Sequence, residues 1–302
     1  MSNGIHSSEV QIVLQTDDIP ITEAKIPPFQ MRRLIEERGF QYPSRNIIFH
    51  CLKGGASKTT LAYNCAFRLS QLGTRVLLVD LDRQANSTYI FFTKQPENVF
   101  VDVVTGQCPI EKAIFPVFPF LDILPSSLDN ARLEMELING KKNPRNFYRN
   151  LFGPIRNRYD VVILDLPPDL NHNTYLSSLF ADTIVIPTTP DEFSLYGMKL
   201  TLSSLEGMQQ EYGELQQDVL IVWSKFDPRE KSAFHHIAEL KDINGARVFP
   251  IVIRTDVSIK HAQEKGKSIF QLNRKSSAKD DIDCLARELV GMREFFSPQG
   301  NA

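Results

Sequence analysis

Two lysines, two threonines, a serine and a glycine pair fall within eight consecutive positions, Lys53-Gly54-Gly55-Ala56-Ser57-Lys58-Thr59-Thr60. Glycines let backbone N–H groups turn toward an anion with no Cβ in the way. Lys58 can set a point charge against the β- and γ-phosphates of a nucleotide, and the Thr59 hydroxyl can ligate Mg²⁺. A helix starting here adds unpaired N–H donors and the positive end of its dipole. Carboxylates suited to the same chemistry follow at Asp80, Asp82 and Asp165. A carboxylate near a γ-phosphate can position water and accept its proton late. Asp165 can hold Mg²⁺ through bound water, because that ion keeps much of its hydration shell.

These groups can act together only if the chain delivers them to one place. The apolar run Ile47-Ile48-Phe49-His50-Cys51-Leu52 reads as a strand entering the glycine loop, and residues 61–72 read as an amphipathic helix leaving it. Strand, glycine loop and helix are the context a phosphate-binding loop requires. Residues 75–82 and 159–165 are continuous apolar runs ending in acid, the pattern of buried parallel strands. Ligands bind at the carboxyl ends of such strands, so all three aspartates belong at the mouth that holds the loop. Further strands are expected at 121–125, 182–187 and 248–254, with another strand and its loop over 219–229. The expected fold is α/β: a doubly wound, mostly parallel seven- or eight-stranded sheet flanked by helices over residues 46–302, preceded by an N-terminal arm over 1–45. Within the arm, residues 28–38 read as a short helix with proline at its start and Gly39 as its stop. Residues 278–296 read as one last helix, with Ile282, Leu285, Leu289 and Met292 on one stripe.

The loop departs from the ordinary G-x-x-x-x-G-K-S/T pattern. Ser57 stands where glycine is usual, and Lys53 opens the loop. Read as K-G-G-x-x-K-T-T, it resembles the deviant Walker A motif of the ParA/MinD superfamily of ATPases, where serine is an accepted variant. Residues 80–88, Asp80-Leu81-Asp82-Arg83-Gln84-Ala85-Asn86-Ser87-Thr88, are similar to that family's D-x-D-P-Q-x-N-x-T, with Arg83 in place of proline. Asp165-Leu166-Pro167-Pro168 resembles its D-x-P-P, residues 187–197 its P-x-x-P-x-x-F-S-L-x-G, and residues 253–262 its I-R-x-R-x-x-x-x-E-A, with Asp256 at the second arginine.

The resemblance covers residues 46–275 and points most toward ParA-type partition ATPases. It implies ATP and Mg²⁺ as cofactors and slow, partner-stimulated hydrolysis to ADP and phosphate. It implies an ATP-bound homodimer in which Lys53 crosses to the partner's nucleotide. Lys53, Lys58 and Asp82 would be catalytic, with Asp82 directing water. Residues Lys53, Gly54, Gly55, Ala56, Ser57, Lys58, Thr59 and Thr60 would cradle the phosphates, and Thr59, Asp82 and Asp165 would serve the metal. Ser224 stands where many relatives carry an asparagine that reads adenine. The family's C-terminal region binds DNA without sequence preference, which points to Arg254, Lys260, Lys265, Lys267, Arg274 and Lys275. A ParB-like or other cargo adaptor is the implied partner, and the nucleoid in the cytoplasm the implied location. Two other readings stay open: a MinD-like membrane-cycling ATPase, and a nucleotide-gated scaffold with negligible turnover, which Arg83 beside Asp82 motivates.

Composition agrees with such a domain. Of 302 residues, 42% are hydrophobic and 23% charged, and the net charge is −2. With no global field, contact with nucleic acid has to come from a local patch. Residues 254–279 carry seven Lys/Arg against two acids. Residues 141–159 carry Lys141, Lys142, Arg145, Arg149, Arg156 and Arg158 with no acid, a run that reads first as a solvated face. Cys51, Cys65, Cys108 and Cys284 show no C-x-x-C spacing, which argues against a zinc site or disulfide framework. No apolar run approaches a membrane span, and the N-terminus lacks the features of a secretion signal. Only the pair Phe295-Phe296 offers an aromatic contact for lipid near the C-terminus.

Overall fold

The computed structural model describes residues 26–139, 146–212, 217–239 and 246–296. Its strands are β1 Arg45–Phe49, β2 Val76–Asp80, β3 Phe115–Phe118, β4 Leu121–Leu124, β5 Val161–Asp165, β6 Thr183–Thr188, β7 Asp218–Trp223 and β8 Arg247–Val248. They form one eight-stranded sheet in the order β3-β4-β2-β5-β1-β6-β7-β8. Only β3 runs antiparallel to its neighbour. The strand that feeds the glycine loop is therefore central, paired on one side with β5 and on the other with β6. Phe49 of β1 and Asp80 of β2 both lie level with Asp165 of β5. That register brings the two acidic strand ends to the loop.

The helices are α1 Pro28–Glu37, α2 Lys58–Gln71, α3 Asn86–Phe91, α4 Phe100–Val104, α5 Leu133–Asn139, α6 Phe147–Phe152, α7 His172–Phe180, α8 Glu192–Tyr212, α9 Lys231–Glu239, α10 Val257–Glu264, α11 Ser277–Leu289 and α12 Met292–Phe295. Successive strand side chains point to opposite faces. Ile47, Phe49, Val161 and Ile163 join one core with α1, α2, α11 and α12. Ile48, Val162 and Leu164 join the other with α4 through α8. Both faces of the sheet are thus covered, as parallel strands require.

Three expectations need correction. Helix α2 is not half exposed: residues 61–70 are buried on every side, because α1 and α11 lie over its outer face. The last helix is two. Gly291, at φ 75, ends α11 and starts α12, although Ile282, Leu285, Leu289 and Met292 are all buried as the stripe requires. The strand expected at 248–254 forms a ladder only at Arg247–Val248 and returns to the sheet in a single bridge from Arg254 to Phe226; Pro250 between them has no N–H for a ladder. Phe295 and Phe296 pack on Phe40, with ring centroids 5.2 and 6.4 Å away, so this pair is occupied inside the protein. Among the described residues no helix is long and apolar enough to cross a membrane.

Helix α1 begins at Pro28, and Gly39 follows it at φ 91. It docks through Met31 and Ile35. Arg32 reaches Asp160 at 2.5 Å and the carbonyl of Gly73 at 3.0 Å. Burial opposes charge on Asp160, but hydrogen bonds from Arg75 and Arg32 outweigh it and hold the carboxyl below its ordinary range. Residues 1–25, and Lys141, Lys142 and Arg145 of the basic run, lie outside the described residues.

Candidate nucleotide-binding site

Between β1 and α2 the chain makes a loop that opens on a cavity of about 800 Å³. Gly54, Gly55, Ser57, Lys58, Thr59 and Thr60 line it. Gly55 and Ser57 both take φ 75. A left-handed conformation is free for glycine and costs other residues roughly 1–2 kcal/mol, so Ser57 holds the bend under strain. Ser57, Ala85 and Lys225 are three of the four non-glycine residues with positive φ in the described structure, and all lie in or beside this cavity wall. Such strain clusters at functional sites. Lys58 is buried, and its amine donates to the carbonyls of Cys51 at 2.9 Å and Lys53 at 3.0 Å. Burial lowers its pKa, while Cys51, Asp165 and Asp82 oppose the shift.

Asp165 ends β5 with no exposure at all. Its two oxygens accept from Thr59 Oγ1 at 3.2 Å and Ser87 Oγ at 2.8 Å. Burial raises its carboxyl to about 7, against those two hydrogen bonds. A buried acid served only by hydroxyls is a seat for a cation. A hydroxyl that lines the cavity with a carboxylate behind it, as Thr59 and Asp165 stand, suits Mg²⁺. No cluster of three His, Cys, Asp or Glu side chains among the described residues offers an all-protein metal cage. Asp80 is also buried and raised, by burial first and by Asp165 next. It accepts from the Thr88 N–H and hydroxyl at 2.8 Å each, so it serves the turn rather than the cavity. Asp82 lines the cavity, with one carboxyl oxygen fixed by the Gln84 N–H at 2.9 Å.

Some expected residues are placed elsewhere. Lys53 does not point into the cavity. Its amine lies 2.6 and 2.7 Å from the two oxygens of Asp191 in its own chain. Ala56 is buried behind the loop, where its carbonyl accepts from Ser224 Oγ at 3.1 Å. Ser224 is thus a brace under the loop rather than a wall of the cavity. The next residue, Lys225 at φ 53, swings onto the wall instead. Tyr63, Tyr89, Asp169 and Gln263 also line the cavity without having been singled out. Ser87 and Thr88 carried a signal, lying inside a quoted motif. Gln263 bonds Thr60 from 203 residues away and carried none.

The AAA domain family model matches residues 44–220. The chain is 32% identical over 227 residues to the chromosome-partitioning ATPase Soj of Thermus thermophilus, covering 75% of this chain and 88% of that protein. It is 26% identical over 266 residues to the cell division protein PomZ of Myxococcus xanthus, covering 87% and 83%. In fold it matches a Cyanothece McdA–ATP complex with TM-score 0.73 at 18% identity, over 84% of this chain and 98% of that one. It matches MinD from Pyrococcus horikoshii, complexed with Mg-ADP, with TM-score 0.66 at 20% identity, over 84% and 99%.

The chain belongs to the ParA/MinD superfamily.

In this ParA/MinD chain the six basic residues expected to meet DNA divide into two kinds. Lys260, Lys265, Lys267, Arg274 and Lys275 are exposed, on α10 and the loop after it. Lys260 has Glu264 at 3.9 Å. Arg254 is not available in the same way. Its guanidinium holds Asp281 with contacts of 2.6 and 2.9 Å, and its N–H adds a third at 3.0 Å. It ties the end of the sheet to α11. Asp256, at the family's second arginine, is the cap of α10: it accepts from the Ser258 N–H at 2.7 Å, the usual role of an acid at a helix start. Gln263 Nε2 donates to Thr60 Oγ1 at 3.1 Å, and Ser268 Oγ to Asn64 Oδ1 at 2.7 Å. The basic segment is therefore joined directly to the helix that starts at the phosphate loop.

Proposed function

We propose that the chain is an ATP-driven partition or positioning ATPase that cycles on and off DNA as a dimer. The observation that carries this reading is the convergence of Lys58, Thr59 and Asp82 on one cavity, with Asp165 buried directly behind Thr59. ATP is the substrate. Lys58 exchanges its two carbonyl partners for phosphate oxygens. Thr59 and, through bound water, Asp165 would hold Mg²⁺, which would supply charge neutralisation at the phosphates. Asp82, steadied by Gln84 N–H, orients the attacking water. Lys53 leaves Asp191 and serves the nucleotide of a second copy as two chains close on their ATP. ATP favours the dimer only by its greater affinity for that state.

Lys260, Lys265, Lys267, Arg274 and Lys275 then meet DNA phosphates. Contacts of this kind give affinity without base readout and weaken with salt. An adaptor on the cargo stimulates hydrolysis and releases the dimer, with the nucleoid in the cytoplasm as the working surface. The likeness to Soj and PomZ supports a partition or positioning role. The test is an electrophoretic DNA-binding assay with ATP, with ADP and with no nucleotide. Retention of unrelated DNA sequences with ATP alone is expected. Binding indifferent to nucleotide, or none with ATP and Mg²⁺, overturns the reading.

A further inference from the structure

We propose that Arg83 is a catalytic cation supplied in cis, whose guanidinium meets the charge developing on the γ-phosphate during hydrolysis. This rests on the ATPase reading above and extends it to a residue the family motif does not contain.

The backbone around Arg83 is fixed. The Ala85 N–H donates to the Asp82 carbonyl at 2.9 Å, closing a turn with Arg83 and Gln84 at its corner. Ser126 Oγ braces that carbonyl at 2.6 Å, and Asn130 Nδ2 braces Ser126 Oγ at 2.7 Å. The first corner of such a turn favours proline, which presets φ. This chain gives up that rigidity for a long charged side chain.

The side chain, by contrast, is uncommitted. Arg83 is exposed and makes no hydrogen bond or ion pair among the described residues. It lines the 800 Å³ cavity together with Lys58, Asp82 and Asp169. It also lines an adjoining cavity of about 210 Å³, which shares Asp169. Asn130 forms part of that second wall, and its Oδ1 is buried with no partner. The Asp169 carboxylate, shared by both walls, holds an acid near the guanidinium on the side of the phosphates. From there the guanidinium turns to the γ-phosphate without moving the chain. A planar guanidinium carries its charge at any working pH and matches two phosphate oxygens at once.

In the step concerned, a water oxygen bonds to the γ-phosphorus. The bond from phosphorus to the bridging oxygen breaks, its electron pair leaving on ADP, and the water's proton ends on phosphate. Charge grows on the oxygens Arg83 can reach. Enclosed arginine fingers contribute about 10³–10⁵ in kcat. Arg83 is exposed and its field is screened by water, so a loss of roughly 10- to 100-fold is expected on its removal.

The experiment compares wild type with Arg83→Ala, Arg83→Gln and Arg83→Lys. It measures single-turnover hydrolysis, affinity for a non-hydrolysable β,γ-imido ATP analogue, and affinity for ADP with aluminium fluoride, which mimics the transferring phosphoryl group. Thermal melting should stay level, because no contact is lost. Ala and Gln should lose turnover and aluminium fluoride affinity together, bind the ground-state analogue within about twofold of wild type, and be partly restored by Lys. Unchanged turnover in Arg83→Ala overturns the proposal and leaves the ATPase reading standing. So does an equal loss of ground-state affinity, which would make Arg83 a binding or docking residue. Wild type that binds no ATP overturns both.

Discussion

Asp165→Asn should stabilise the nucleotide-free protein while abolishing its response to Mg²⁺. The carboxyl has no exposure and only hydroxyl partners, Ser87 and Thr59. Burial lifts its pKa from 3.8 to about 7, against hydrogen bonds from Ser87 and Thr59; Asp82 adds to the rise and Lys58 opposes it. The folded state therefore holds this proton more tightly than the unfolded chain does. Between those two values the fold binds more protons than the unfolded state, so stability falls as pH rises through the window. A gap of about 3 units at 1.36 kcal/mol each sets a ceiling of about 4 kcal/mol, fully felt above pH 7. Local relaxation and water entry reduce it, so the uncharged amide should gain about 1–3 kcal/mol near pH 8. The two hydroxyls can rotate to serve an amide, so the substitution leaves no polar group stranded. Urea unfolding in chelator checks this at about pH 5 and about pH 8. The variant's advantage should be clear at the higher pH and shrink at the lower. Mg²⁺ with ATP should then stabilise wild type and not the variant. A variant no more stable than wild type near pH 8, or an advantage equal at both pH values, would refute the claim that burial penalises this charge.

Gly73→Ala should cost at least about 2 kcal/mol in chemical unfolding, since Gly73 sits at φ 86 and a Cβ there would lie 2.6 Å from the Arg32 backbone; a neutral result would mean α1 yields freely. Asp191→Asn keeps the bond from Ser194 N–H but discharges the partner of Lys53. A partly exposed pair of this kind is worth about 0.2–1 kcal/mol, and closure releases one from each chain, so the ATP-bound dimer should tighten by about two- to thirtyfold in sedimentation, and a weaker dimer would contradict a holding role for Asp191. Joint Lys265→Glu and Lys267→Glu should remove DNA retention with melting unchanged, whereas Arg254→Glu should lower stability by about 1–3 kcal/mol through loss of Asp281. Equal melting of Arg254→Glu and wild type would return Arg254 to the DNA-facing set.

Much of the fold was legible because it is written in local patterns. The apolar runs ending in Asp80 and Asp165 became β2 and β5, paired in register with each other, with β5 beside β1. Pro28 and Gly39 bracketed α1, and the glycine loop fell between strand and helix. What failed had causes outside each segment. Residues 61–72 carry enough polar side chains to suggest an exposed face, but Arg68 is buried by its 2.5 Å pair with Asp283, and Asn64 by its bonds to Ser268 and Ile269. The apolar stripe continued past Gly291 although the helix did not, because a positive φ interrupts the backbone without interrupting the pattern.

The sequence alone placed a glycine loop suited to a nucleotide's phosphates between a buried strand and a helix. Glycine freedom, hydrophobic periodicity and motif spacing are properties of neighbouring residues, and they do not wait on the rest of the chain. Tertiary structure alone decided which side chains face the cavity and which are spent on the frame. Lys53 found Asp191 138 residues on. Arg254 was taken by Asp281, and a single left-handed residue put Lys225 on the wall in place of Ser224. A charged or hydroxyl side chain at a strand end has several partners within reach, and the choice among them depends on what distant segments bring alongside. The same lysine, arginine or serine is therefore a ligand in one setting and a brace in another.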